Sequence, residues 1–406
     1  MRSDHVVDAF DRLDGWIRGN GWAGYDPYDI RGQTWYINLF GSWCPEKLKS
    51  ALYLAELNLP QQFLRKVLRV KKQINAKGMG LLASAYLTRY ETTGEVRYLH
   101  DAEEILEWLF ENACRAYPGM SWGYPFHWSS RIFIPRGTPS VVVTGTVGLA
   151  VLQHYRISRS QQSYEALLKI AEFFTGGLNR PIDQGNKLCF SYTPLDQFTV
   201  LNASMFAASY LAQLSALLDI SEFRLLALRA ARYVTEEQND DGSFYYWGSE
   251  PATTIDHFHT GFVLRFLDDV YRYIDADFVG TPLRRGFKFY FDHLFTDECV
   301  PKHTPLADFP INIHSCAEAI LCLSQLGPEY GGFSRAFDVF RFTARHMRDS
   351  DGWYIAEIRR GWRGVFKINI PFVRWSESWM LLAFARLIDA QQRNSVKREE
   401  LECESE

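Results

Sequence analysis

No two of the seven cysteines (44, 114, 189, 299, 316, 322 and 404) form a Cys-x-x-Cys or any other metal-ligand spacing, which removes zinc and thioredoxin-like readings and leaves buried thiols. Concentrated positive charge is also missing. The 406 residues carry a formal charge of −4 with a pI near 6.2. The most basic run, residues 65–72, alternates with Val67, Leu68 and Val70, as the solvated face of a helix would. A nucleic-acid groove is therefore not expected. The N-terminal run MRSDHVVDAFDRLDGW scatters acids where a signal peptide needs an apolar core. Apolar runs such as residues 140–152 fall short of the ~20 residues a bilayer helix takes, so no membrane span is expected. A soluble chain in a reduced, cytoplasmic setting is the reading. Disordered, low-complexity tracts are absent too: charged residues make up 23% and aromatics 15%, a globular composition with an aromatic surplus.

Those aromatics sit between helices. The stretch from residue 238 to 261 ends one apolar helical run, turns at Asp240-Asp241-Gly242, continues as FYYW, loops, and opens a new helix at Asp256 with His257 and His259 in its first turn. Related segments surround Trp122, Phe190, Val300 and Trp353, roughly 53–68 residues apart, a period that means a stacked or closed array of two-helix units. After a first helix at about 4–18, the apolar periodicity predicts helix pairs at 46–59 with 61–73, 78–91 with 97–115, 140–156 with 161–176, 199–218 with 222–237, 256–275 with 280–294 and 313–326 with 333–347, and a last helix at 375–392. Short extended pieces are expected near 122, 190, 244 and 353. Comparable helix starts fall near Lys77, Ser140, Asn202, His257, His314 and Trp375. Six starts predict an all-α (α/α)6 toroid of six hairpins over residues 1–395, followed by a polar tail at 396–406. In such a ring the first turns of the inner helices converge at one end. That end is the candidate site, with Asn75, Lys77, Thr138, Asn202, Asp256, His257, His259, Asn312, His314, Arg374 and Glu377 as its polar inventory.

The motifs GYDPYD, SWGYPFHWSSR, DGSFYYW with IDHFHTGFVL, FPINIHSCAEAI and IPFVRWSESWM resemble (α/α)-toroid proteins of polysaccharide- and glycan-assembly gene clusters. That group is related to the C-terminal domain of D-glucuronyl C5-epimerases and to six-hairpin glycosidases. The resemblance implies the toroid fold, a saccharide substrate and association with glycan-assembly enzymes. One position departs from it, since the group favours Asp where this chain has Asn312.

Sugar recognition needs flat apolar faces and fixed polar groups. Trp22, Tyr28, Trp122, Trp128 and Trp375 supply candidate faces. Asp26, Asp29, Lys77, Arg131, Asn202, His259, Asn312 and Arg374 supply candidate substrate-binding groups. The GYDPYD loop, with two Asp and several aromatics around a Pro, reads as a preorganised lip across the toroid mouth. Proton abstraction beside a uronate carboxylate needs a base, a proton donor and groups that hold the carboxylate. His257, His314 and Tyr246 are the candidates for the proton transfers, with Arg374 as a bidentate carboxylate clamp. His257 and His259 cannot point the same way on a helix, so one faces the cavity and the other supports packing. Glycosidic hydrolysis would instead use two carboxyls, for which Asp26, Asp29, Asp241, Asp256, Asp351 and Glu377 are the candidates, with Asp256 and Glu377 as one such pair, although Asp256 is also a natural N-cap and Asp241 and Asp351 sit in Asp-Gly turns. The histidines lack metal-ligand spacing, and no cofactor is expected. Three readings stand: an enzyme that processes an acidic oligo- or polysaccharide by uronate C5 epimerisation or β-elimination, an inverting glycoside hydrolase, and a non-catalytic glycan-binding subunit. Toroidal prenyltransferases and terpene cyclases are disfavoured, because neither a zinc triad nor an Asp-rich motif is present.

Overall fold

The computed structural model describes residues 2–41, 44–248, 254–362 and 364–404. Fifteen α-helices dominate it. The outer start of the ring is α1 (Arg2–Asn20), followed by three short helices, α2 (Thr34–Phe40), α3 (Glu46–Leu57) and α4 (Gln61–Val67). The hairpins are α5 (Ala76–Thr93) with α6 (Val96–Glu111), α7 (Val141–Ser158) with α8 (Gln161–Glu172), α9 (Leu201–Leu218) with α10 (Ser221–Glu236), α11 (His257–Ile274) with α12 (Asp277–His293), and α13 (Ile313–Tyr330) with α14 (Phe333–His346). The last helix, α15 (Ser378–Glu404), packs against α1. Helices α5, α7, α9, α11, α13 and α15 contact one another in sequence and α15 returns to α5, so six inner helices close a ring with a second layer outside.

The sequence explains the two layers. Outer helices carry one apolar stripe; on α6, Tyr98, Ala102, Ile105, Leu106 and Leu109 are buried and the charged residues face water. Inner helices are covered on all sides, and α9 is buried from Leu201 to Ser215. By length and composition α9 could cross a membrane, but 83% of it is buried inside the ring, where a core helix needs the same apolarity. Small residues let the inner helices approach: a Cβ on Gly80 of α5 would lie 3.1 Å from the Val147 backbone of α7. The starts of four inner helices are fixed by side-chain caps, from Asn75, Ser140, Asp256 and Asn312.

Two expectations are corrected. The sixth hairpin joins the two ends of the chain, α15 with α1, where Val6, Ala9, Phe10, Leu13 and Ile17 are buried. Helices α3 and α4, read as a hairpin of the ring, instead pack beside the 22–31 loop and a C-terminal sheet. That sheet, β5 (Ile311–Asn312), β6 (Glu357–Gly361) and β7 (Gly364–Ile368), is antiparallel throughout. Two hairpins complete the strands, β1 (Trp128–Ser129) with β2 (Phe133–Ile134) and β3 (Ile182–Gln184) with β4 (Lys187–Cys189). The extended piece near 190 is thus β4, while those near 122, 244 and 353 come down to isolated bridges such as Val200 with Trp247 and Arg348 with Tyr354. The loop at 249–253, part of the stretch that defined the repeat, lies outside the described residues. Helix α15 runs past 392 because residues 391–404 are mostly strong helix formers with an Asp389–Arg393 pair one turn apart.

Candidate active site

The repeat places one side chain from each hairpin at the same point. The second residues of the five inner helices α5 to α13 are Lys77, Val142, Asn202, Phe258 and His314, and the second residue of the π-helical turn Val373–Glu377 leading into α15 is Arg374. All six line one cavity of about 650 Å³ of atom-free space, its opening included. Its walls are aromatic: Tyr28, Tyr124, Phe126, Trp128, Tyr192, Tyr246, Phe262 and Trp375. His259, from the first turn of α11, completes the polar set. The residues one place earlier, Ala76, Val141, Leu201, His257, Ile313 and Val373, all turn into the core.

His257 therefore does not face the cavity. It occupies the register position of apolar residues, fully buried against Tyr290 and Phe295, with Nδ1 3.3 Å from the Tyr290 hydroxyl and Nε2 without a partner. Burial, only partly opposed by Asp256, pulls its pKa down to about 3. A free histidine titrates at ~6.5. Between those values the unfolded chain holds a proton that the folded one does not, so the contribution to stability is complete above pH 6.5 and is lost as pH falls towards 3. His257→Phe should make stability less acid-sensitive across that window by about one proton, as urea unfolding at several pH values would show.

His259 takes the cavity position instead. Its Nδ1 lies 2.6 Å from Asp256 Oδ2, while Asp256 Oδ1 accepts from the His259 backbone N–H at 3.0 Å. One carboxylate thus caps the helix and orients the imidazole. Burial pushes the Asp256 carboxyl up, but the charge and hydrogen bonds of His259 outweigh it and leave it below the usual range. The Tyr246 ring is 4.5 Å from that of His259, and burial raises its phenol.

His314 is 1% exposed, and neither ring nitrogen has a hydrogen-bond partner. It stacks on Phe258 at 4.8 Å and meets Trp375 and Trp379. Burial first, then the positive charges of Lys77 and Arg374, hold it well below the ordinary histidine value. Phe258 also touches His259 at 4.1 Å, so both imidazoles abut one phenyl ring. Lys77 is 4% exposed and has no ion-pair or side-chain hydrogen-bond partner among the described residues. Its ammonium is 5.1–5.7 Å from the rings of Trp379, Phe262 and Phe206. Burial, reinforced by Arg374, pulls its pKa well below the lysine value. Asn202 Oδ1 is buried and unpartnered as well. Three polar groups thus converge on the cavity without partners, which native interiors rarely tolerate away from a ligand.

Arg374 lines the cavity but is not a free clamp. Its Nε and Nη2 each donate to Asp26, both at 2.7 Å, and the pair is almost wholly buried. Asp29 is engaged in the same way, accepting from Arg65 Nε at 3.0 Å and from the Asp26 backbone at 2.9 Å. The GYDPYD loop is therefore bolted to the ring and contributes only Tyr28 to the wall; its deletion would break two buried ion pairs. Trp22 does not line the main cavity but a neighbouring space of about 420 Å³, opening included, that shares Phe126 and Arg374 with it. Trp122 is a core residue whose Nε1 donates to the Leu109 carbonyl. Arg131 lies over the Trp247 ring at 3.9 Å, outside the cavity lining. Glu377 is fully buried away from the cavity, accepts from the Tyr354 N–H, and has its pKa pushed well up by burial.

Asn312 caps α13, with Oδ1 accepting from the His314 N–H at 2.9 Å and from Trp375 Nε1 at 3.0 Å, while Nδ2 donates to Glu357 at 3.0 Å. An aspartate could not donate to Glu357 and would set two carboxylates in contact. The departure from Asp is thus matched by its neighbour. Asn312→Asp should cost about 1–3 kcal/mol in urea unfolding.

Val142, Tyr192, Phe258 and Phe262 were missed because each reads as core. Their signal is the register of the repeat: taking the second residue of every inner helix finds Val142 and Phe258 directly.

A closed ring of six hairpins with its cavity at the N-terminal ends of the inner helices is a six-hairpin (α/α)6 toroid, the class the sequence motifs resemble. No protein-family profile matches the chain, and no curated protein matches it. Among solved structures it is similar to cellobiose 2-epimerase from Bacillus thermoamylovorans (TM-score 0.59, 10% identity, 77% of this chain and 87% of that one). It is also similar to a GH76 alpha-mannanase from Bacteroides thetaiotaomicron (0.62, 10%, 79% and 88%) and to a polysaccharide lyase (0.59, 10%, 97% and 98%). At these identities the likeness is one of fold.

Proposed function

We propose that the protein is a carbohydrate-active enzyme that moves a proton at a carbon beside the carboxylate of an acidic oligo- or polysaccharide, by C5 epimerisation or, from the same carbanion, β-elimination. One observation carries the reading: among the described lining residues there are two imidazoles, a lysine, an arginine and four tyrosines, and no carboxylate. The nearby acids are already engaged, Asp256 by His259, Asp26 by Arg374, and Glu318 by Arg265 at 2.6 and 2.9 Å. A hydrolase needs two carboxyls flanking the bond, so the inverting-hydrolase reading loses its residues. The binder reading loses the argument from Asn312, which is a cap.

In this scheme His259 removes the proton through Nε2, and Asp256 compensates the charge the ring acquires. The electron pair moves into the substrate carboxylate, whose growing charge Lys77 stabilises. A proton returned to the opposite face from a lining phenol such as Tyr246, which burial keeps protonated, completes epimerisation; departure of the β-substituent completes elimination. The structural neighbours include an epimerase and a polysaccharide lyase, in line with either outcome. Product analysis on a panel of acidic and neutral oligosaccharides tests it. Altered or unsaturated uronates support the reading, and cleavage with gain of water overturns it.

A further inference from the structure

Scattered exposed apolar side chains need no explanation, but a cluster does. Of the sixteen large ones exposed among the described residues, seven fall between Trp35 and Val67, less than a tenth of the chain. On α2 they are Trp35 and Leu39, four apart; on α3, Leu48 and Leu54; and Phe63 and Val67 stand four apart on α4. Trp362 and Val365 add to them from the β6–β7 hairpin, whose Phe366 packs in one cluster with Leu57 and Tyr53 of α3. Helix α4 is tied to the cavity end of the toroid, because Arg65 bonds the loop that carries Tyr28.

Charge follows the same boundary. Residues 34–72 hold seven Lys and Arg against two Glu and no Asp, a formal +5 in a chain whose total is −4. Arg65 is neutralised by Asp29, but Lys47, Lys66, Arg69, Lys71 and Lys72 are exposed among the apolar residues. Protein–protein interface cores are depleted in lysine, and a nucleic-acid surface would not present aliphatic side chains. A face that mixes lysines with exposed Trp, Phe and Leu suits anionic headgroups above an acyl boundary.

We propose that α2–α4, with the tip of the β6–β7 hairpin, form a docking surface for an anionic lipid bilayer, holding the protein on the membrane without spanning it. The test is co-sedimentation of the full chain with vesicles of phosphatidylcholine alone and of phosphatidylcholine with roughly one-third phosphatidylglycerol. Retention on the anionic vesicles should exceed that on neutral ones by about tenfold and fall with added salt. Phe63→Asp and, separately, Lys66→Glu with Arg69→Glu should each reduce it, with helical content unchanged by circular dichroism. No retention on anionic vesicles, or equal retention on neutral ones, overturns the proposal. So does a dimer in light scattering that Phe63→Asp dissociates, which would make the face an interface between copies.

Discussion

His259→Ala is expected to lower turnover by about 10²- to 10⁴-fold, the loss typical of a missing acid–base group. It should also cost some stability, because the buried Asp256 carboxylate loses the imidazole paired with it, so turnover is compared at a temperature where both proteins are folded. The imidazole is partly exposed to the cavity, and its removal leaves no large void. Asp256→Asn separates the two jobs of its neighbour. Asparagine caps a helix about as well as aspartate, so the start of α11 should hold while the imidazole loses the carboxylate that compensates its charge. Turnover should then fall without comparable loss of stability. His257→Phe provides the contrast, since His257 faces Tyr290 and Phe295 and its replacement should leave the chemistry in place. If turnover in His259→Ala matches the unaltered protein, the assignment fails.

The second large effect concerns stability. Asp26→Ala should destabilise the fold by about 3–5 kcal/mol in urea unfolding, because it strands a buried guanidinium. Arg374 is 3% exposed and both hydrogen bonds to Asp26 are 2.7 Å. Asp26→Ala combined with Arg374→Met removes the stranded charge and should recover part of the loss, as expected for coupled partners. Equal destabilisation in single and double variants would show that the cost lies in loop packing and not in the charge.

The fold was legible because periodicity is redundant: five helix pairs repeat along the chain, and each outer helix carries its own stripe. Ring closure by α1 was not, since pairing the two ends of the chain leaves no local signal, and α3 with α4 looked like a better hairpin. Of the candidate cavity only part was legible: the starts at Lys77, Asn202 and His314 fall on its lining, whereas that at Ser140 lies two residues before Val142, and Trp22, Trp122, Arg131, Asn312 and Glu377 lie outside the lining. Lys77, Asn202, His314 and Arg374 share a register, but the start at His257 was taken one position early, because two histidines two apart gave no sign of which faced inward. Tyr28, Trp128, Tyr246 and Trp375 reached the cavity as expected. Asp26 and Arg374 were each read as free to bind substrate; that they bind each other, 348 residues apart in sequence, only the folded chain could show. The sheet β5–β6–β7 went unread as well, and with it the partner that makes Asn312 an amide.

The most direct test of the central claim is the fate of a single hydrogen. The protein is incubated with an acidic oligosaccharide in deuterated water, and the label at the carbon beside the carboxylate is read by mass spectrometry and NMR. Proton transfer at that carbon predicts deuterium there in the epimer, or an unsaturated uronate if the β-substituent has left, with both abolished in His259→Ala. A product that has gained water across a glycosidic bond, with the hydrogen at that carbon unexchanged, would contradict the account.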